Sequence, residues 1–227
     1  MMSAFENLPV VPMAPSPWNL KGQGYILAVR LPREVLDHES FIDKALAATR
    51  RGPLAYVMFV DYERSDAGPY HELLYIPGSL QFNSGRHLSI SKIYVSTWNS
   101  VVNGHENWGI PKERCDFTVN YGSDGVDEVK LLQDGRVFAE LNFSHHLFRL
   151  PFNGSWLPKK LLTIGQWFKG RQFRFAPQAK GHIKPGRLKS WHFDSALFPD
   201  LAKGQVVACV KVTDFEMVFP VAEITTL

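Results

Sequence analysis

Two turn clusters, Ser123-Asp124-Gly125 and Asp134-Gly135, cut the stretch from 115 to 143 into three short runs, 115–121, 126–132 and 136–143. Runs this short, bounded by residues that favour tight reversals, suit strands joined as hairpins rather than helices. The same punctuation recurs along the chain. Residues 25–31 are apolar and stop at Pro32, 54–62 is strand-like, and Asp66-Ala67-Gly68-Pro69 forces a turn before 70–75. Segments 88–96, 173–175, 181–191 and 206–219 continue the pattern. Only two helices are expected. One covers 33–51 and ends at Gly52-Pro53; the other is capped by Thr97 and runs to about Glu106. Prolines at 9, 12, 15 and 17 make residues 1–17 an extended arm that lies on a surface or on a neighbouring subunit. The expected architecture is a single β-rich α+β domain over 18–227, an antiparallel meander curled or closed to hide its edges.

Composition narrows the function classes. With 227 residues, 45% of them hydrophobic, the chain can bury an ordinary core, and 16 Phe, 7 Tyr and 6 Trp must fill it or line a cavity. Cys115 and Cys209 are too few for a disulfide framework. The prolines near the start break any secretory-type helix, and no apolar run approaches the roughly 20 residues that span a bilayer. A soluble cytoplasmic protein without a membrane partner is expected. The net charge of +3 does not by itself call for a polyanion. Between Leu141 and Phe193, however, there is no Asp or Glu, while ten lysines and arginines fall there among Trp156, Trp167, Phe173 and Trp191. That is the composition of a nucleic-acid groove. A solvated face balanced by acids elsewhere in space is the favoured reading, and a field attracting a small carboxylate is a third. His145 and His146 would point to opposite sides of a strand, and no zinc-type, phosphate-loop or serine-elbow spacing occurs. No metal and no cofactor are expected.

What remains is an amine and several carboxylates. Lys112 follows Pro111 in the run Asn103-Gly104-His105-Glu106-Asn107-Trp108-Gly109-Ile110-Pro111-Lys112-Glu113. It is either one more solvated surface lysine or a buried amine. Burial disfavours the ammonium form, so a buried Lys112 is expected to have a lowered pKa and to attack a ketone near neutral pH. Glu72 sits just past a turn in an apolar strand, either outward or aimed into a cavity.

Three groups of residues then carry a resemblance: Pro17, Trp18, Leu20, Lys21 and Gly22; Gly68, Pro69, Tyr70 and Glu72; and Gly104, Glu106, Gly109, Pro111 and Lys112. Together they resemble the acetoacetate decarboxylase family. The resemblance implies a cone-like antiparallel β-barrel with a few short peripheral helices, and a buried lysine that forms an imine with a β-keto acid. Lys112 falls on that lysine and Glu72 on the acid that lines the family's pocket; both are expected to be catalytic. Glu106 falls on a second acid preceding the lysine. His105 replaces an arginine, Gln23 stands where decarboxylases present an arginine, and Trp108 would exclude water; these join Glu106 on the substrate side. Glu113 replaces a second lysine, and an extended segment would turn it away from Lys112.

The resemblance implies a small-molecule keto acid as partner, no cofactor, and a homo-oligomer. A Schiff-base lyase is the leading expectation. An aldolase or dehydratase on a larger keto acid would use the same lysine. A non-catalytic small-molecule-binding barrel and a nucleic-acid binder are the other readings.

Overall fold

The computed structural model describes residues 8–123 and 125–226; residues 1–7 of the expected arm and Asp124 of the first hairpin turn lie outside them. The elements, in chain order, are β1 (Trp18–Arg30), α1 (Arg33–His38), α2 (Lys44–Ala47), β2 (Ala55–Arg64), β3 (Tyr70–Ile76), β4 (Ser79–Phe82), β5 (Gly85–Leu88) and β6 (Lys92–Val95). Then come α3 (Trp98–Trp108), β7 (Lys112–Arg114), β8 (Asp116–Tyr121), β9 (Val126–Gln133), β10 (Arg136–His145) and β11 (Leu150–Asn153). The chain ends with α4 (Lys159–Leu162), β12 (Ile164–Phe168), β13 (Arg171–Phe175), β14 (Gln178–Phe193), β15 (Gln205–Phe219) and β16 (Glu223–Thr226). The β-rich α+β expectation holds. Among the described residues no helix is long and apolar enough to cross a membrane.

The larger sheet runs β7-β6-β3-β2-β1-β15-β14-β10-β9-β8, with β11 added to β14; the smaller runs β16-β13-β12-β5-β4. Period-two alternation sends the side chains of β1, β2 and β3 into two different cores. Tyr25, Leu27 and Val29 of β1, with Leu73 and Tyr75 of β3, join Val129, Leu131, Leu141 and Phe143 from the other half of the sheet. Leu20 of β1 and Tyr70, Leu74 and Ile76 of β3 face the opposite way, toward α3 and the smaller sheet. Burial on both faces is why β3 reads as a nearly continuous apolar run.

The expected closed barrel is not found: among the described residues, neither sheet closes on itself. The two end strands of the larger sheet, β7 and β8, are separated in sequence only by Cys115. β7 has three residues and spends its pairing on β6, in parallel register, so no ladder joins it to β8. Side chains fill the gap. Tyr94 and Phe138 rings lie 4.9 Å apart, His71 stacks on Phe117 at 5.8 Å, and the Tyr121 hydroxyl donates to Asp61 at 2.6 Å.

Two further expectations are corrected. The helix expected over 33–51 is two short ones, because Ser40 Oγ donates to the Val35 carbonyl and Phe41 turns to φ 52°. Asp43 then caps a new start through the Ala45 N–H at 2.8 Å. The strand expected over 88–96 breaks at Ser89-Ile90-Ser91, where the chain leaves the smaller sheet and enters the larger. The proline-rich arm is held by its own chain. Asn103 of α3 accepts from Ala14 N–H and donates to the Pro12 carbonyl, and one turn later Asn107 donates to the Ala14 carbonyl. Four of the ten cations in the stretch are balanced in space: Arg149 pairs with Asp214, Arg171 with Glu106, Arg174 with Glu223 and Lys180 with Glu216.

A buried ion pair ties the two halves of the larger sheet together. Lys211 of β15 donates to Asp127 of β9 at 2.5 Å, and Tyr25 of β1 donates to the same oxygen at 2.6 Å. Both charged side chains are almost wholly enclosed, at 7% and 3% exposure. Removing one partner would leave the other charge dry and unpaired. Asp127→Ala is therefore expected to lower unfolding stability by about 3–5 kcal/mol, read from denaturant melts; a loss below about 1 kcal/mol would contradict a tight buried pair.

Candidate active site

Helix α3 brings the lysine to the acid. Its cap, Thr97, accepts from the Ser100 N–H at 3.3 Å, as the sequence predicts. Ser100 and Gly104 then stack at i, i+4 on the face turned toward the sheet, while Asn103 and Asn107 face the arm and Asn99 bonds the Ala67 carbonyl in the turn before β3. Gly109 ends the helix at φ 61°, where a side chain would be strained and a Cβ would stand 2.4 Å from the Phe173 ring. Pro111 holds the next segment extended, and β7 begins at Lys112, opposite Ile93 of β6. The lysine stem runs across Gly104: a Cβ there would lie 2.7 Å from Lys112 Cδ and 2.9 Å from Cε. Glycine is what lets the helix approach this closely.

Lys112 Nζ ends in a dry cluster. It donates to Glu72 Oε2 at 3.0 Å, to Ser100 Oγ at 2.9 Å and, more weakly, to the Tyr70 hydroxyl at 3.4 Å. Lys112 and Glu72 are 3% and 4% exposed. Tyr70, Glu72 and Leu74 alternate onto one face of β3, so the acid points inward. Its other oxygen, Oε1, accepts from Tyr62 of β2 at 3.2 Å. The ammonium also lies 4.9 Å from the Tyr70 ring centroid and 5.9 Å from that of Trp18.

The expected fall in the lysine's pKa is reversed. Burial is the largest single influence and does pull Lys112 down, but the Glu72 charge, Tyr70 and their hydrogen bonds outweigh it. Lys112 therefore titrates above the ordinary lysine value and rests as an ammonium against Glu72. Burial raises both tyrosines, Tyr70 to about 12 and Tyr62 well above its ordinary value, so their hydroxyls stay protonated and able to donate.

A cavity of about 270 Å³ opens beside this cluster. Trp18, Leu20, Met58, Trp108, Ile110 and Phe215 are among its walls, and the Trp18 and Trp108 rings meet edge to face at 4.9 Å. A larger open groove of about 760 Å³, between residues 30–37 and 47–53, shares no lining residue with it and holds neither Lys112 nor Glu72.

The structure unites three of the six residues singled out in the sequence: Lys112, Glu72 and Trp108 all line the cavity. Glu106, His105 and Gln23 do not. Glu106 is exposed and lies 3.9 Å from Arg171. Gln23 hydrogen-bonds toward Asp61, its cross-strand neighbour on β2. His105 is buried behind the site. Burial first, then the neighbouring Lys169 and Lys112 charges, lower it to about 4 against the pull of its bond to the Lys112 carbonyl. The ring is neutral at pH 7 and its Nε2–H donates to that carbonyl at 2.8 Å, a tautomer assigned from the acceptor-only partner. Glu113 faces away, as an extended segment requires, and accepts from Lys92 at 2.6 Å. Sequence reasoning missed Tyr62 and Ser100. The available signal for Ser100 was its spacing of four residues from Gly104 in a capped helix.

Gly104→Ala is expected to push the lysine stem off its seat. Reaction of the amine with a carbonyl probe should slow by about a hundredfold, the loss typical of an ångström-scale misplacement. Reductive trapping rates measure it; an unchanged rate would show that the close approach is not what seats the amine.

The model of the family described as Acetoacetate decarboxylase (ADC) matches residues 9–151. Among curated proteins, none matches this sequence. Several solved structures share the fold. The acetoacetate decarboxylase from Legionella pneumophila subsp. pneumophila str. Philadelphia 1 is 12% identical, with 98% of this chain and 94% of that chain covered and a TM-score of 0.68. An acetoacetate decarboxylase-like enzyme from Sphingomonas wittichii RW1 is 14% identical, with 98% and 97% covered and a TM-score of 0.65. The enduracididine biosynthesis enzyme MppR, complexed with the condensation product of pyruvate and imidazole 4-carboxaldehyde, is 16% identical, with 97% and 96% covered and a TM-score of 0.63.

Proposed function

The chain belongs to the acetoacetate decarboxylase family, and from that premise we propose that it is a Schiff-base-forming lyase in which Lys112 makes an imine with a β-keto acid. One observation carries the reading: Lys112 Nζ, 3.0 Å from Glu72 and enclosed in an apolar cavity, has the partner it needs to lose its proton. Moving one proton from the ammonium to the carboxylate leaves two neutral groups. In a dry site that exchange removes two buried charges at once, which limits its cost, and the free amine it yields can attack an incoming ketone.

The steps then balance. Nζ adds to the ketone carbon, and the carbinolamine oxygen leaves as water, taking back the proton that Glu72 received. The carbon–carbon bond to the carboxylate breaks, its electron pair moves toward the iminium nitrogen, and carbon dioxide departs. The enamine takes one proton at carbon, supplied from solvent through Glu72. Water then hydrolyses the imine, restoring the ammonium and releasing the ketone. Tyr62, donating to Glu72 Oε1, holds the acid in place through these transfers. The Glu72 charge beside an apolar wall also makes a bound carboxylate less stable than uncharged carbon dioxide.

Borohydride reduction in the presence of acetoacetate, acetopyruvate or pyruvate should add a stable mass that maps to Lys112 and disappears in Lys112→Ala. No adduct with any of the three, or an adduct that persists in Lys112→Ala, would overturn the reading.

Glu72→Gln separates the two roles of the acid. Without the carboxylate, burial governs Lys112 and its pKa falls below the ordinary value, so imine trapping at neutral pH should persist and its pH midpoint should move down. Turnover should drop by about 10²–10⁴, the usual contribution of a positioned acid–base group. Turnover within a few-fold of the parent would remove Glu72 from the proton transfers.

A further inference from the structure

The cavity has a chemical bias that imine formation alone does not require. Among the described residues lining it, Lys112 and Glu72 are the only charged side chains; no arginine, histidine, amide or aliphatic hydroxyl side chain is present. Its polar wall atoms are otherwise those of tyrosine, tryptophan and the backbone; the Tyr62 and Tyr70 hydroxyls lie at the Lys112 end, in contact with Glu72 or Lys112, and the Tyr25 hydroxyl is taken by Asp127 in the other core. Away from that end the walls are Leu20, Ile26, Met58, Leu74, Ile164 and Met217. A second charged or strongly polar group on the substrate would meet no partner there, and its desolvation would go uncompensated.

The room available is more than the smallest β-keto acid fills. At about 30 Å³ per water-sized group, a cavity of about 270 Å³ holds about nine such groups. The cavity also opens outward along an apolar path. Leu161 lines it and is 60% exposed, so it marks the mouth, while Lys112 is 3% exposed and marks the floor. Trp156 and Leu157, just before α4, are 71% and 48% exposed and extend apolar surface beside that mouth.

We propose that the site selects a β-keto acid whose ketone carbon carries an unbranched alkyl chain several carbons long, with the reacting end at Lys112 and the chain lying toward Leu161. The inference rests on the Schiff-base reading and adds the substrate class to it. The single carboxylate sits near the floor, where it is lost as carbon dioxide, and the product is a methyl ketone with the same chain. Each buried methylene contributes about 0.8 kcal/mol, a factor of about four in affinity.

The test is borohydride trapping of the intact protein with freshly hydrolysed acetoacetate, 3-oxohexanoate and 3-oxooctanoate, and with 2-oxoglutarate as the doubly charged comparison. The adduct is mapped to Lys112 and the half-saturating concentration is read for each acid. The expected result is a fall of at least about tenfold from acetoacetate to 3-oxooctanoate, with 2-oxoglutarate the poorest. Leu161→Lys, at an exposed position where folding is not at stake, should raise the half-saturating concentration of 3-oxooctanoate far more than that of acetoacetate. If acetoacetate or 2-oxoglutarate labels Lys112 as readily as 3-oxooctanoate, or Leu161→Lys affects all acids alike, the chain preference is wrong while the imine stands. If no acid labels Lys112, the Schiff-base reading itself fails and this inference falls with it.

Discussion

The contact between Lys112 and Glu72 is the constraint around which the site is built. Either charge alone would be costly at this depth; at 3.0 Å the two neutralise each other, and the remaining wall can be apolar. Nearly every local feature serves that contact. Gly104 lets α3 approach the lysine stem, Pro111 starts β7 extended, and His105 fixes the Lys112 carbonyl from behind. Tyr62 and Ser100 use the remaining hydrogen-bonding capacity of acid and amine. Glu113, the one carboxylate close enough in sequence to compete, is drawn off by Lys92 on the other side of the strand.

A second buried lysine shows what distinguishes the pair proposed to react from a structural one. Lys211 is buried like Lys112 and its bond to Asp127 is shorter, yet it belongs to the other core. Tyr25 fills the space beside Asp127 and stacks on Phe143 at 4.1 Å. Lys211 is not among the residues that line the cavity beside Lys112. Burial and ion pairing are shared by both pairs; room for a carbonyl beside the amine is found at one.

The hairpins were legible because Asp134-Gly135 and its neighbours state their turns locally, and the Thr97 cap announced α3. The interruption at Ser40 and the change of sheet at Ser89–Ser91 were not, since both depend on partners far away in sequence: Tyr75 for Ser40, and Tyr75 and Gln166 for the serines. In the site, Lys112 and Glu72 were found from motif and resemblance. Glu106 and His105 share the helix and the motif but face other ways, because spacing along a short motif does not state which side of α3 meets the sheet. Burial of Lys112 was anticipated correctly and its consequence was not: burial pulls a lysine's pKa down, but the carboxylate buried with it here outweighs that pull.

The central claim is that the resting amine is an ammonium held by Glu72, so that the proton transfer between them is the first chemical event. Titration of the Lys112 side chain by NMR, in protein carrying labelled lysine and assigned with Lys112→Arg, tests this directly. A midpoint above the ordinary 10.5 agrees with the account; a midpoint well below it, with the amine already neutral at pH 7, contradicts it.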